Sequence, residues 1–277
     1  MNAQVAVVQM VSSDVLADNL ARAGSLLAQA SAGGAQLALL PENFALMGRD
    51  EKAKLAIMEV DGDGPIQSWM AMQAQRLGLW LIGGSIPLAA PDGRSYAACL
   101  VFDPAGRCLA RYDKIHLFDV DLAGGESYRE SRTIAPGSTP VAVTTPWGQV
   151  GLSICYDLRF PELYRCYAGA ELLVVPSAFT QQTGAAHWEC LLRARAIENQ
   201  AYVLAADQGG LHQNGRQTFG GSMIIDPWGQ VLARMDQGEG VALAQVDMEF
   251  LQRCRSNLPA LQHRRQAFCG ASQATPA

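Results

Sequence analysis

Short apolar runs alternate along the chain with longer stretches whose apolar residues recur at three- and four-residue spacing. Gln4–Met10 (QVAVVQM) is valine-rich and too short for a stable helix, which predicts a buried strand. From Asp14 to about Ala32, residues Leu16, Leu20, Ala23, Leu26, Leu27 and Ala30 fall on one helical face, and Gly33-Gly34 ends the pattern. Gln36–Leu40 (QLALL) predicts a second strand, Pro65–Leu77 a helix with proline in its first turn, and Leu79–Gly83 a third strand. This β-α-β-α-β order predicts an α/β protein whose helices cover a sheet.

The second half repeats the rhythm. Strands are predicted at Gln149–Cys155 (QVGLSIC), Glu171–Val175 and Tyr202–Ala206, with a short helix at Leu163–Ala168 and a long one at about Ala186–Asn199. The halves also share residues: Gly34-Ala35-Gln36-Leu37 through Pro41-Glu42-Asn43-Phe44 aligns with Gly169-Ala170-Glu171-Leu172 through Pro176-Ser177-Ala178-Phe179. Asp103–Arg111 (DPAGRCLAR) likewise matches Asp226–Arg234 (DPWGQVLAR), each a hairpin turning on proline and glycine. Recurrence by chance and an internal two-fold duplication both account for these matches. The duplication predicts two stacked sheets with helices outside. No linker divides the halves, so residues 1–268 read as one domain, followed by a polar tail over 269–277 that is expected to be mobile.

Composition narrows the partners. Of 277 residues, 49% are hydrophobic and 17% charged, which supplies ample core and excludes a disordered, collagen-like or coiled-coil chain. The net charge is −5, from 21 basic and 26 acidic residues, with no Lys/Arg block to meet nucleic acid or an anionic membrane. A small-molecule partner is expected. The uncharged stretch Thr133–Tyr156 is too broken by Pro136, Gly137, Pro140, Pro146 and Gly148 to span a bilayer. The N-terminal residues lack a basic start and a cleavable apolar run, so no signal peptide is expected, and the seven cysteines are odd in number without a C-x-x-C pair. A reducing cytoplasm is the expected location, with neither a disulfide framework nor a zinc site.

Four residues at or near strand ends could carry chemistry. Cys155 closes QVGLSIC before a turn into a helix, where the positive helix end would lower its pKa; the plain alternative is a small buried hydrophobe. Glu42 follows an apolar strand, where partial desolvation would raise its pKa toward that of a general base; a cap or surface carboxylate is the alternative. Strand alternation in YDKIHLF puts Lys114 and His116 on one face with Ile115 opposite, and the ammonium could stabilise an oxyanion or simply reach solvent. Glu130, in SYRES, reads alone as a loop carboxylate.

In that order and with the flanks LLPENF, YDKIHLF and ICYDLRFPE, Glu42, Lys114 and Cys155 resemble the nitrilase superfamily of carbon–nitrogen hydrolases. The resemblance runs from AVVQM near the start to LPALQHRR, Leu258–Arg265. It implies an αββα four-layer sandwich, with Glu42 as general base, Lys114 as oxyanion-stabilising cation and Cys155 as nucleophile. Glu130 takes the place of the family's second glutamate, orienting the substrate amide or the lysine, and the Tyr156 backbone N–H joins the oxyanion hole. The implied reaction hydrolyses a small linear amide to carboxylate and ammonia through a thioester, with no metal or organic cofactor, in a homodimer or higher homo-oligomer.

Ser177–Gly210, followed by DPWGQVLA, resembles the deaminated-glutathione amidase branch. The omega-amidase branch, acting on α-ketoglutaramate, usually has Gly-Ala-Phe-Asn where this chain has Ser177-Ala178-Phe179-Thr180. A carboxylate-bearing substrate calls for a fixed cation, and Arg159 is the candidate, with Phe179 and Thr183 lining the same pocket. His116 and His187 read as structural. The rivals are a papain-like hydrolase using either histidine as base, a true nitrilase, and a non-catalytic binding protein.

Overall fold

The computed structural model describes residues 2–122 and 125–265, so the expected tail at 269–277 lies outside the described residues. The N-terminal half comprises β1 (Asn2–Gln9), α1 (Leu16–Ala32), β2 (Leu37–Leu39), α2 (Pro65–Leu77), β3 (Trp80–Ile82), β4 (Ile86–Ala89), β5 (Ser95–Phe102) and β6 (Cys108–Asp113). A small hairpin, β7 (Asp119–Asp121) and β8 (Ser127–Arg129), leads on. The C-terminal half comprises β9 (Ala142–Thr145), β10 (Gly148–Leu152), α3 (Pro161–Cys166), β11 (Leu172–Ser177), α4 (Gln181–Asn199), β12 (Tyr202–Asp207), β13 (Met223–Ile225), β14 (Val231–Arg234), β15 (Gly240–Asp247) and α5 (Met248–Asn257).

Two mixed sheets result. One runs β15-β1-β2-β3-β5, with β4 and β6 both paired to β5; the other runs β14-β13-β12-β11-β10-β9. Five strands of each sheet repeat the same order and direction. β1, β2 and β3 are parallel, then β5 and β6 return antiparallel; β10, β11 and β12 are parallel, then β13 and β14 return antiparallel. Helices α1 and α2 fill the crossovers of the first set, α3 and α4 those of the second. The two matching hairpins turn on the same device. Asp103 Oδ1 accepts from Ala105 N and Arg107 N at 3.0 and 2.9 Å, and Asp226 Oδ1 from Trp228 N and Gln230 N at 2.9 and 2.8 Å.

Period-two alternation sets the layers. Val5, Val7, Leu37 and Leu39 share one apolar core with Val150, Leu152 and Leu204 of the other sheet. Their neighbours Ala6, Val8, Ala38 and Leu40 face outward into a second cluster with Leu27, Ala30, Ile66 and Met70 of α1 and α2. On the far side α4 packs over β12 and β13. The architecture is the helix–sheet–sheet–helix sandwich with the internal repeat that the sequence predicted.

Several boundaries differ from expectation. The strand predicted to reach Cys155 ends at Leu152, and Cys155 opens a short 3₁₀ turn, Cys155–Arg159, before α3. β6 ends at Asp113, so Lys114 lies just past the strand and is not set by its alternation. Helix α4 begins at Gln181 instead of Ala186, because Thr180 caps it by accepting from Thr183 N at 3.3 Å.

Candidate active site

Loops at the strand ends bring the four residues together. Glu42 follows β2 through Pro41, and Asn43 turns the chain with a φ of 58°. Gly84, between β3 and β4, passes so close that a Cβ there would overlap the Pro41 carbonyl, and its own φ is positive. Cys155 also sits in the left-handed region, at φ 49°, a strained setting for a residue with a side chain.

Asp157 holds that strained turn. It is fully buried; its Oδ2 accepts from Ile154 N at 2.9 Å and from the Tyr112 hydroxyl at 2.7 Å. Its Oδ1 accepts from His116 N at 3.0 Å and lies 2.7 Å from His116 Nδ1. One carboxylate thus ties the segment carrying Lys114 to the turn carrying Cys155. His116 stacks on Phe160 with ring centroids 3.7 Å apart.

At the centre lies Lys114, 1% exposed. Its Nζ is 2.8 Å from Glu42 Oε1 and 2.9 Å from each oxygen of Glu130. Glu130 Oε2 also accepts from Phe118 N at 2.7 Å. The Glu42 carboxylate and the Cys155 thiol lie close enough for each to shift the other's titration. Burial opposes the Lys114 charge, but Glu130 and Glu42 overcome it and hold the ammonium well above its ordinary pKa.

These charges reverse two expectations. Burial would push Glu42 up, yet Lys114 and Lys54 hold it below the ordinary 4.5 instead of near neutrality. Burial and the adjacent Glu42 charge push Cys155 well above 9.0, and Lys114 does not offset them, so no lowered thiol results. At rest the Glu42 carboxylate and the Lys114 ammonium therefore stand beside a neutral Cys155 thiol.

All the predicted residues line one pocket: Glu42, Lys114, Glu130, Cys155, Tyr156, Arg159, Phe179 and Thr183. The Arg159 guanidinium lies over the rings of Tyr156 and Phe179, 5.7 and 5.5 Å from their centroids, and forms no salt bridge with a described carboxylate. Its Nη1 is 3.3 Å from His187 Nδ1. Phe179 packs against Trp188 at 4.7 Å, and Thr183 Oγ1 meets Thr180 Oγ1 at 2.9 Å.

The pocket also holds residues that the sequence reading did not single out, among them Lys54, Tyr128 and Arg216. Asp157 stood inside ICYDLRFPE unremarked. Asp207 ends β12 and is fully buried, and burial together with the nearby Glu42 charge raises its pKa well above 3.8. A carboxyl directly after an apolar strand is the signal that marked Glu42, and it marks Asp207 equally. Among the described residues, no group of three or more His, Cys, Asp or Glu side chains is placed to hold a metal ion, and no helix is long and apolar enough to cross a membrane.

Comparison with known proteins gives concordant matches. The carbon–nitrogen hydrolase family model matches residues 4–256. The chain is 43% identical over 266 residues to deaminated glutathione amidase of Synechocystis, covering 94% of this chain and 97% of that protein. It is 39% identical over 264 residues to an omega-amidase of Danio rerio, covering 95% and 94%. The NitFhit protein of C. elegans superposes with a TM-score of 0.88 at 37% identity, over 96% of this chain and 66% of that longer one.

Proposed function

The chain belongs to the carbon–nitrogen hydrolase family, and from that premise we propose that it is a cysteine-dependent amidase acting on a small carboxylate-bearing amide, deaminated glutathione. The carrying observation is the buried Lys114 shared by Glu42 and Glu130, with the Cys155 thiol against Glu42.

In this reading Glu42 accepts the Cys155 proton as sulfur attacks the amide carbonyl, so no free thiolate precedes the attack. Lys114 has three ammonium protons; one lies on Glu42, one is shared across Glu130, and the third faces the new oxyanion with the Tyr156 N–H. As Glu42 takes the proton, negative charge passes from its carboxylate to the new oxyanion beside a fixed cation, so the summed charge of the site stays constant. As the tetrahedral adduct collapses, the C–N bond breaks and Glu42 returns its proton to the leaving nitrogen. Water then attacks the thioester with Glu42 again taking a proton, and Cys155 departs as the thiol.

Deaminated glutathione contains no primary amide, so its leaving group is a peptide amine. Ammonia, expected for the reaction at the sequence level, is the product only from α-ketoglutaramate. The substrate assignment is supported by the similarity to deaminated glutathione amidases and by Arg159, a pocket cation with no carboxylate partner among the described residues. The similarity to an omega-amidase keeps α-ketoglutaramate as the second reading. A papain-like mechanism finds little support: His116 is engaged by Asp157, His187 by Arg159, and neither lines the pocket.

The test is hydrolysis of deaminated glutathione and α-ketoglutaramate by the purified protein, with Cys155→Ala as control. Preference for the peptide-derived amide, abolished in the variant, is expected. Preference for α-ketoglutaramate moves the protein to omega-amidase, and activity surviving Cys155→Ala overturns the mechanism. The family resemblance further implies a cytoplasmic protein that forms a homodimer or higher homo-oligomer, and light scattering on the purified protein checks the assembly.

A further inference from the structure

Two cavities meet at Arg216. The reacting pocket around Cys155 is tight, about 30 Å³. A neighbouring cavity of about 200 Å³ shares Lys54, Tyr128 and Arg216 with it and extends toward Met47, Gly48 and Asn214. Lys54, Tyr128 and Arg216 face both, so a leaving group that runs past them reaches the second.

Arg216 is fixed at this junction. Its Nη2 donates to Ala178 O at 2.7 Å and its guanidinium lies over the Tyr128 ring at 5.3 Å. Its backbone N–H donates to Asn214 Oδ1 at 2.9 Å, and Asn214 Nδ2 donates to Gly48 O at 2.7 Å. The same loop is tied down through His212, whose ring nitrogens lie 2.9 Å from Ser12 O and 2.8 Å from Thr218 Oγ1. Yet Arg216 Nε is buried without a hydrogen-bond partner, and the guanidinium forms no salt bridge with a described carboxylate. A buried, unsatisfied donor on a held cation is costly unless a ligand completes it. The Arg216 charge acts on Asp207, but burial outweighs it and holds that carboxyl well above its ordinary pKa.

We propose that Arg216 binds a carboxylate at the leaving-group end of the substrate, while Arg159 serves the acyl end. The inference rests on the deaminated-glutathione reading and deepens it. Deaminated glutathione carries an oxo-acid carboxylate on the acyl side of its cleaved bond and the glycine carboxylate on the amine side. α-Ketoglutaramate has only the first. Arg216 is therefore a specificity-determining residue that separates the two substrates.

The experiment compares kcat/KM for deaminated glutathione with that for the same molecule bearing a C-terminal carboxamide. The wild-type protein is expected to prefer the free acid by about 10- to 100-fold, the loss that follows when a charged hydrogen-bond partner is removed. Arg216→Gln should erase the preference, chiefly through KM, and Arg216→Lys should keep part of it. Arg159→Gln should lower both rates and leave their ratio standing. Equal wild-type rates on acid and carboxamide, or an undiminished ratio in Arg216→Gln, overturn the proposal. The wild-type comparison stands even if a variant does not fold. Wild-type protein that hydrolyses neither compound overturns the substrate reading itself, a separate result.

Discussion

Glu130 meets Lys114 with both carboxylate oxygens, each 2.9 Å from Nζ, whereas Glu42 offers one oxygen at 2.8 Å. The lysine's firmer anchor is thus the glutamate that does not touch the thiol. Glu130 is itself fixed by the Phe118 N–H and by its place just after the β7–β8 hairpin. This division leaves Glu42 the freer of the two carboxylates to exchange a proton with Cys155.

Glu130→Gln keeps the shape and one acceptor but removes the charge. Lys114 should then settle on Glu42 alone, which makes Glu42 a poorer base. We expect kcat to fall about 10- to 100-fold, the scale of a lost charge-assisted contact, with KM moved much less. Steady-state kinetics checks this, and a pure KM effect would assign Glu130 to substrate binding instead.

The pH profile follows from the shifted groups. Glu42 is held below 4.5 and Cys155 is pushed well above 9.0, so neither titrates near neutrality. The profile of kcat/KM should be flat between those limits, with an acid limb below 4.5 where Glu42 takes up a proton. Glu42→Gln should cost about 10²–10⁴ in kcat, the usual worth of a general base. A limb near the histidine range that vanishes with His116→Gln would sink the assignment of the base.

Much of this was legible in the sequence because strand ends punctuate it. Apolar runs followed by a charged residue located Glu42, and the same rule reaches Asp207. The duplicated GAQL/GAEL and DPAG/DPWG segments mark equivalent strands and hairpins in the two sheets. Electrostatic direction was not legible: Glu42 is lowered by a lysine 72 positions away, and no local pattern announces that contact. Helix α4 was read short because Gln181, Gln182 and Gly184 hide its first turn from any apolar periodicity. Arg216 stands in a loop, where spacing carries no information about which cavity a side chain enters.

Removing the central cation tests the buried cluster as a structural unit. Lys114→Met removes the ammonium that both Glu42 and Glu130 bond, leaving only the Lys54 charge to act on Glu42, a change that costs about 3–5 kcal/mol for a buried pair. Lys114 is raised in the folded state, so its contribution is fully present below 10.5 and is lost only as pH climbs through the higher folded value. Glu42 is lowered, so its share is present above 4.5 and is lost as pH falls through the folded value. Urea unfolding of both proteins should show a gap that is constant through neutral pH and closes in acid.

Asp157→Asn examines the clamp beneath the nucleophile. The variant must turn an N–H₂ group toward either the Ile154 and Tyr112 donors or the His116 donor. One or two buried donors lose their acceptor, at about 1–3 kcal/mol each. The Cys155 turn is strained and depends on this support, so kcat/KM should fall at least about 10-fold, with a lowered Tm. Unchanged kinetics with lowered Tm would make Asp157 purely structural.

Asp207 predicts a stability effect of opposite sign. Its Oδ1 accepts from Phe179 N at 2.9 Å, while Oδ2 is buried without a partner among the described residues. Burial, reinforced by the nearby Glu42 charge, raises its pKa well above 3.8, so the folded protein keeps a proton that the unfolded chain releases. Stability attributable to this group is therefore full below 3.8 and declines as pH rises toward the folded value. Asparagine retains the acceptor for Phe179 and cannot ionise. Asp207→Asn should consequently gain on the wild type as pH increases from acid to neutral, whatever their relation in acid. Chemical denaturation of both proteins across that range measures the difference directly, and a gap that does not change with pH would show that Asp207 is already ionised in the fold.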